Sequence, residues 1–269
     1  MKNRKPIALL LAALALLSLL AACGKQDEPT GDQLARIRQS GTLIVAMEGT
    51  WAPWTYHDES DTLTGYDVDV ARAIAEKLGV EVSFVEGEWD GLLAGLDAGR
   101  YDIMVNGVGI MPEREEKYSF STPYAYNRTA IIVRGDYDAI HSVDDLNGKT
   151  TANTISSTYA EQAEAHGASV TGVDDLNQTI ELLLAGRIDA TLNAEVVFND
   201  YQRVHPEANI KIAAYTDDVE RVAIPVRKGD DSATLLAAIN DALAELAADG
   251  TLSALSQTYF GTDISKAAP

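Results

Sequence analysis

The residues best suited to chemistry sit in "NGVGIMPER", where Gly107 and Gly109 follow an apolar run and Arg114 follows Pro112. Glycines after a strand let backbone amides approach a ligand closely, and a guanidinium offers a planar fork that matches a carboxylate. Together they point to an anion held between backbone and side chain. The plain alternative is that Arg114 is a surface residue opening the polar helix "PEREE". A dinucleotide loop does not fit, because the third glycine is missing and Pro112 interrupts the next stretch.

Two further groups could complete a pocket. In "EGTWAPWTYHDE", Trp51 and Trp54 flank a proline directly after an apolar strand, and loops at strand ends are where α/β sheets bind ligands. Trp54 reads as structural, whereas Trp51 and Trp89 stand at strand-to-helix junctions and read as pocket walls. Glu48 could meet a cationic group, although glutamates are usually exposed. In "ISSTYAEQ", Ser156, Ser157 and Thr158 begin a helix; one hydroxyl suffices to cap it, and three with free amides would also hold an anion. His57, His141, His166 and His205 are scattered without ligand spacing, and Cys23 is the only cysteine, so neither a metal nor a cofactor is expected.

These residues need a frame, and the sequence alternates between strand and helix patterns, the mark of α/β architecture. "TLIVAM", "VEVSFVEG", "YDIMVNG", "TTANTI" and "IDATLNA" read as strands. "YDVDVARAIAEKLG" spaces Val70, Ile74 and Leu78 four apart and stops at Gly79. "DGLLAGLDAGR", "STYAEQAEAHG" and "NQTIELLLAGR" read as helices, and "SATLLAAINDALAELAADG" gathers Leu236, Ile239, Leu243 and Leu246 on one face. "LDAGRYDIMVNG" is echoed by "LLAGRIDATLNA", which sets Asn106 and Asn193 at corresponding strand ends and suggests two similar lobes. Chance is the plain alternative, since helix-to-strand turns commonly use glycine.

Composition narrows the partners. The 269 residues are 46% hydrophobic and carry a net charge of -20, and setting aside Lys2, Arg4 and Lys5 leaves -23 on residues 23–269. Nucleic acid is therefore not an expected partner. "MKNRKPIALLLAALALLSLLAACGK" reads as an export signal, with Leu20-Ala21-Ala22 immediately before Cys23. That tetrad resembles a bacterial lipoprotein box, which implies acylation of Cys23 and a membrane-anchored protein outside the cytoplasm. "GKQDEPTGD" has the polarity of a short tether.

Taken in order, "GTLIVAMEGTWAPW", "LTGYDVDVARAIAEKLG", "DGLLAGLDAGRYDIMVNGVGIMPERE", "YSFSTPYAY", "DLNGKT", "AGRIDATLN" and "ADGTLSALSQTYFG" resemble the family 3 solute-binding proteins of polar amino acid ABC transporters, the cystine-type branch most of all. The resemblance implies a type II periplasmic-binding-protein-like fold, two α/β lobes joined by two crossover strands. It divides the chain into a signal peptide (1–22), a tether (23–35), the first part of lobe 1 (36–132), lobe 2 (133–223), a return to lobe 1 (224–262) and a tail (263–269). It further implies a monomer that binds an amino acid, with cystine favoured, and hands it to a membrane permease.

By the same resemblance Trp51 stacks on the ligand and Trp89 lines the pocket. Arg114 clamps the α-carboxylate with backbone at Gly107 and Gly109 and with Ser157 and Thr158, and Asn106 and Asn193 complete the expected set. The pattern departs from the family at Gly109, where a hydroxyl residue is usual, at Met111, where threonine is usual, and at Ala194, where an aspartate normally receives the α-ammonium. Three alternatives are left: Glu195 as acceptor, Glu48 as acceptor, or a ligand that presents its amine differently. Cyclohexadienyl dehydratases resemble these binders too, with a carboxylic acid near the place of Glu195, so an enzyme on this scaffold is the alternative function.

Overall fold

The computed structural model describes residues 32–267; the export signal, Cys23 and the tether up to residue 31 lie outside the described residues. Helix α1 (Gln33–Ser40) starts at Asp32, whose side chain accepts the Ala35 amide, and leads into β1 (Thr42–Met47). Three short strands, β2 (Thr50–Trp51), β3 (Thr55–His57) and β4 (Leu63–Thr64), make a small antiparallel sheet. Next come α2 (Tyr66–Leu78), β5 (Glu81–Glu86), α3 (Trp89–Asp97) and β6 (Ile103–Met104). Strands β5 and β6 pair parallel on either side of β1. The short α4 (Pro112–Glu115) and β7 (Tyr118–Phe120) precede the long β8 (Ala125–Arg134).

A second sheet repeats the scheme with β9 (Thr150–Asn153), α5 (Thr158–Ala165), β10 (Ser169–Gly172), α6 (Leu176–Leu184) and β11 (Ala190–Ala194). Its parallel part runs β10-β9-β11, the same order as β5-β1-β6. After α7 (Glu195–Val204), the long β12 (Ile210–Val222) pairs antiparallel with β8, which itself borders β11. Strand β13 (Pro225–Arg227) pairs with β7, and α8 (Ala233–Ala248) and α9 (Thr251–Phe260) complete the fold. The expected fold class, α/β with two lobes joined by two crossover strands, is the one adopted; β8 and β12 are the crossovers.

Alternation along β1 shows how the first sheet is buried on both faces. Leu43, Val45 and Met47 pack with Ile74 of α2 and with Leu235, Ile239 and Leu243 of α8, while Ala46 joins Leu92 and Leu96 of α3. The buried face of α8 is made by Leu235, Ile239, Ala242, Leu243 and Leu246, and Leu236 stands at its edge, half-buried. Among the described residues no helix is long and apolar enough to cross a membrane.

Candidate functional site

A cavity opens between the ends of the two parallel sheets. One side of it is made by Glu48, Thr50, Trp51, Trp89 and Gly107. The other side carries Asn153, Ser157, Thr158, Tyr159, Asp175 and Asn193, and Glu220 reaches in from β12.

The aromatic wall is fixed by backbone geometry. Gly107 has φ of 56°, in the left-handed region, and a Cβ there would run into the Trp51 ring. Its amide donates to Asp67 Oδ2 at 2.5 Å, and the Tyr124 hydroxyl donates to Asp67 Oδ1 at 2.7 Å. Burial pushes Asp67 up to about 7 against those two hydrogen bonds. Trp51 in turn stacks on the buried Trp54, with ring centroids 5.5 Å apart and planes 11° apart, and meets the edge of Tyr159 at 6.4 Å. So Trp54 is structural, and it holds Trp51 in place.

Glu48 directly follows β1 and lies beside Asn106. The Glu48 amide donates to Asn106 Oδ1 at 2.8 Å, and Asn106 Nδ2 donates to Glu48 Oε2 at 2.7 Å. Desolvation pushes the Glu48 carboxyl up to about 7, the Asn106 hydrogen bond opposes this, and Asp175 and Asp90 add to the rise. The cavity is thus acidic at this end.

Arg114 is not the exposed residue of a polar helix; only 6% of its surface is accessible. Its Nη1 donates to the Gly109 carbonyl at 2.9 Å and to Thr158 Oγ1 at 3.2 Å, and Nη2 donates to the Ser156 carbonyl at 2.8 Å. The guanidinium carbon lies 5.3 Å from the Trp89 ring centre. Burial draws the Arg114 pKa down, and Glu161 and Glu220 pull it back up. Ser157 is the N-cap of α5, its Oγ accepting the Ala160 amide at 3.1 Å, while Ser156 holds the strained φ of 59° and donates from Oγ to Asp90 at 3.0 Å. Arg114 and Asp90 therefore bind the same short loop across the cleft.

A model of the bacterial extracellular solute-binding proteins, family 3, matches residues 43–262. The chain belongs to that family. It is 41% identical over 236 residues to a probable amino-acid ABC transporter-binding protein of Haemophilus influenzae, covering 88% of this chain and 91% of the relative. It is 39% identical to the L-cystine-binding protein TcyA of Bacillus subtilis, covering 96% and 98% respectively. Among solved structures, the unliganded, open L-cystine solute receptor of Neisseria gonorrhoeae shares 43% identity with a TM-score of 0.60, covering 88% of this chain and all of the receptor. An ancestral arginine-binding protein bound to arginine shares 37% identity and superposes more closely, with a TM-score of 0.76, covering 82% and 99%.

Within this family 3 protein, the residues singled out from sequence divide into three groups. Glu48, Trp51, Trp89, Gly107, Ser157, Thr158 and Asn193 line the cavity. Asn106, Gly109 and Arg114 stand directly behind that lining, each in contact with one of its members. Glu195 is apart from them: its carboxylate accepts the Tyr215 hydroxyl at 2.7 Å and lies 3.8 Å from Arg128 Nη1. It is the first residue of α7, and its nearness to Ala194 in sequence does not bring it into the cavity lining.

Sequence reading missed Asn153, Tyr159, Asp175 and Glu220. Asp175 had a usable signal, being the N-cap of α6 with its side chain accepting the Gln178 amide. Tyr159 lay within the quoted helix start, one residue past Thr158. Glu220 had none, since "TDDVERV" reads as polar chain.

Proposed function

We propose that this protein binds a zwitterionic amino acid, L-cystine foremost, in the cavity and delivers it to the permease of an ABC importer. Arg114 clamps the α-carboxylate together with backbone at Gly107 and Gly109 and the hydroxyls of Ser157 and Thr158. Trp51 and Trp89 cover the ligand, and Glu48 meets a second ammonium at the far end, which a cystine carries. The lobes, drawn at 36–132 with 224–262 and at 133–223, close over it because the ligand touches both only when they are shut. The protein acts as a monomer, acylated at Cys23 and held on the outer face of the cytoplasmic membrane; replacing Cys23 with serine releases it from the membrane fraction.

The observation that carries this reading is Arg114, a buried guanidinium whose three hydrogen bonds go to neutral oxygens and whose charge meets no carboxylate at ion-pair distance among the described residues. Buried charges are ordinarily paired, so a ligand carboxylate is the missing partner. The names of the relatives from Haemophilus influenzae and Bacillus subtilis support the same reading. A dehydratase would need an acid facing the ligand near residue 195, and Glu195 instead serves Tyr215 and Arg128.

A thermal-shift screen of the amino acids plus cystine tests the proposal, since a ligand that binds only the folded form raises the melting temperature. L-cystine is expected to give the largest rise. No rise with any amino acid, or product formed from prephenate or arogenate, rejects the binder.

A further inference from the structure

The end of β11 offers no carboxylate to an ammonium, yet one lies on the same face of the same sheet. Ala194 is paired with Thr129 of β8, and two residues away on β8 Asn127 is paired with Glu220 of β12. Alternate residues of a strand share a face, and directly opposed residues share it too. Ala194, Thr129, Asn127 and Glu220 therefore stand on one side of the sheet, and of these Glu220 lines the cavity.

We propose that Glu220 receives the α-ammonium of the ligand, the role that Ala194 cannot fill. This rests on the reading of the cavity as a zwitterion site. The Glu220 carboxylate is buried, 8% exposed, and among the described residues its hydrogen-bond donors are all neutral: Asn127 Nδ2 at 3.3 Å and the Tyr159 hydroxyl at 3.4 Å on Oε2, and the Thr158 hydroxyl. Arg114 acts on it from beyond ion-pair distance, and no other cation among the described residues pairs with it. Such a carboxylate is under-compensated, and an ammonium with three N–H donors is the complement it lacks. The buried Asn127 Oδ1 beside it is a further acceptor without a hydrogen-bond partner.

The position suits the chemistry. A Cβ on Gly109 would strike both Glu220 Oε1 and Thr158 Oγ1, so Glu220 occupies the space that a side chain at 109 would fill. Thr158 Oγ1 in turn accepts from Arg114 Nη1 at 3.2 Å. One hydroxyl thus separates the group for the carboxylate from the group for the ammonium, and in an α-amino acid those two charges sit on a single carbon. Asn127 and Tyr159 serve as positioning residues that hold Oε2.

The test is calorimetric titration of the wild type and Glu220→Gln with L-cystine and with 3,3′-dithiodipropionate, the same disulfide diacid without its ammonium groups. If another amino acid gives the largest thermal shift, that acid and its desamino counterpart replace the pair. The variant is expected to lose tenfold or more in affinity for the amino acid and to bind the desamino acid as well as the wild type or better. Its unliganded melting temperature should not fall. Equal losses for both ligands, unchanged affinity for the amino acid, or a destabilised variant would overturn the assignment. A wild type that binds no amino acid brings down the zwitterion reading itself, an outcome separable from a wild type and a variant that bind alike.

Discussion

The two parallel sheets are built on one plan and finish differently. In the first, the turn after α3 has Gly99 at φ of 67°, and Asp102 accepts the Ile44 amide of β1 at 2.9 Å. In the second, the turn after α6 has Gly186 at φ of 66°, and Asp189 accepts the Thr150 amide of β9 at 2.8 Å. The echo between "LDAGRYDIMVNG" and "LLAGRIDATLNA" is thus a repeated joint, in which an aspartate ties the incoming strand to its neighbour. Four residues further on the halves part. Asn106 reaches Glu48, whereas Asn193 Oδ1 accepts the amide of its own neighbour, Ala194. The first half presents charge and indole to the cleft; the second presents mainly hydroxyls and amides, with Asp175 as its one carboxylate. Identical scaffolding therefore does not dictate identical chemistry, and the charge absent from the β11 end is found on a crossover strand.

The strongest way to break this contrast is to remove the first half's guanidinium. Truncating one member of a buried, hydrogen-bonded charge pair costs about 2–5 kcal/mol, so Arg114→Ala should weaken amino acid binding roughly thirtyfold or more by calorimetry. It also removes the bonds to Thr158 and Ser156 that tie the two halves. Affinity within threefold of the wild type would mean that the second half holds the carboxylate by itself.

Glu48 sharpens the contrast through pH. Its carboxyl rises from 4.5 to about 7 in the folded protein, chiefly by desolvation and with Asp175 and Asp90 nearby. Between those values the folded chain binds a proton that the unfolded chain has released, so stability falls as pH rises. The full effect is present below pH 4.5 and gone above about 7, and it amounts to about 3 kcal/mol by the usual conversion. Melting temperatures of the unliganded protein should decline across that window, and Glu48→Gln should flatten the decline. Asp67, also raised to about 7, contributes a slope of the same sign that the variant retains. A wild-type profile no steeper than that of the variant would contradict the burial of an acid at the β1 end.

Much of the frame was legible because buried parallel strands and glycine-stopped helices leave strong local patterns; "TLIVAM" and "YDVDVARAIAEKLG" each formed the element their spacing predicts. The pocket residues found in advance share one property, a position at a strand end or helix start, where local sequence and site location coincide. Glu220 escapes that rule. Its burial comes from pairing with Asn127, 93 residues away, past a register shift in β12, and nothing in its polar neighbourhood encodes a sheet face. The β2–β4 hairpins were equally silent, because strands of two or three residues are too short to show alternation.

The smallest expected effect falls on the residue that sequence proximity favoured. Glu195 stands next to Ala194, and its carboxylate is spent on Tyr215 and on Arg128, with 29% of the side chain exposed. An exposed ion pair of this kind contributes about 0–1 kcal/mol to stability, and none of that passes through the cavity. Glu195→Gln keeps the hydrogen-bond acceptor for Tyr215, so calorimetric affinity for the amino acid should stay within twofold of the wild type. A tenfold loss would place α7 in the ammonium site after all, because only a carboxylate that touches the ligand could produce it. The halves would then each end in a working acid, and the asymmetry between them would rest on Arg114 alone.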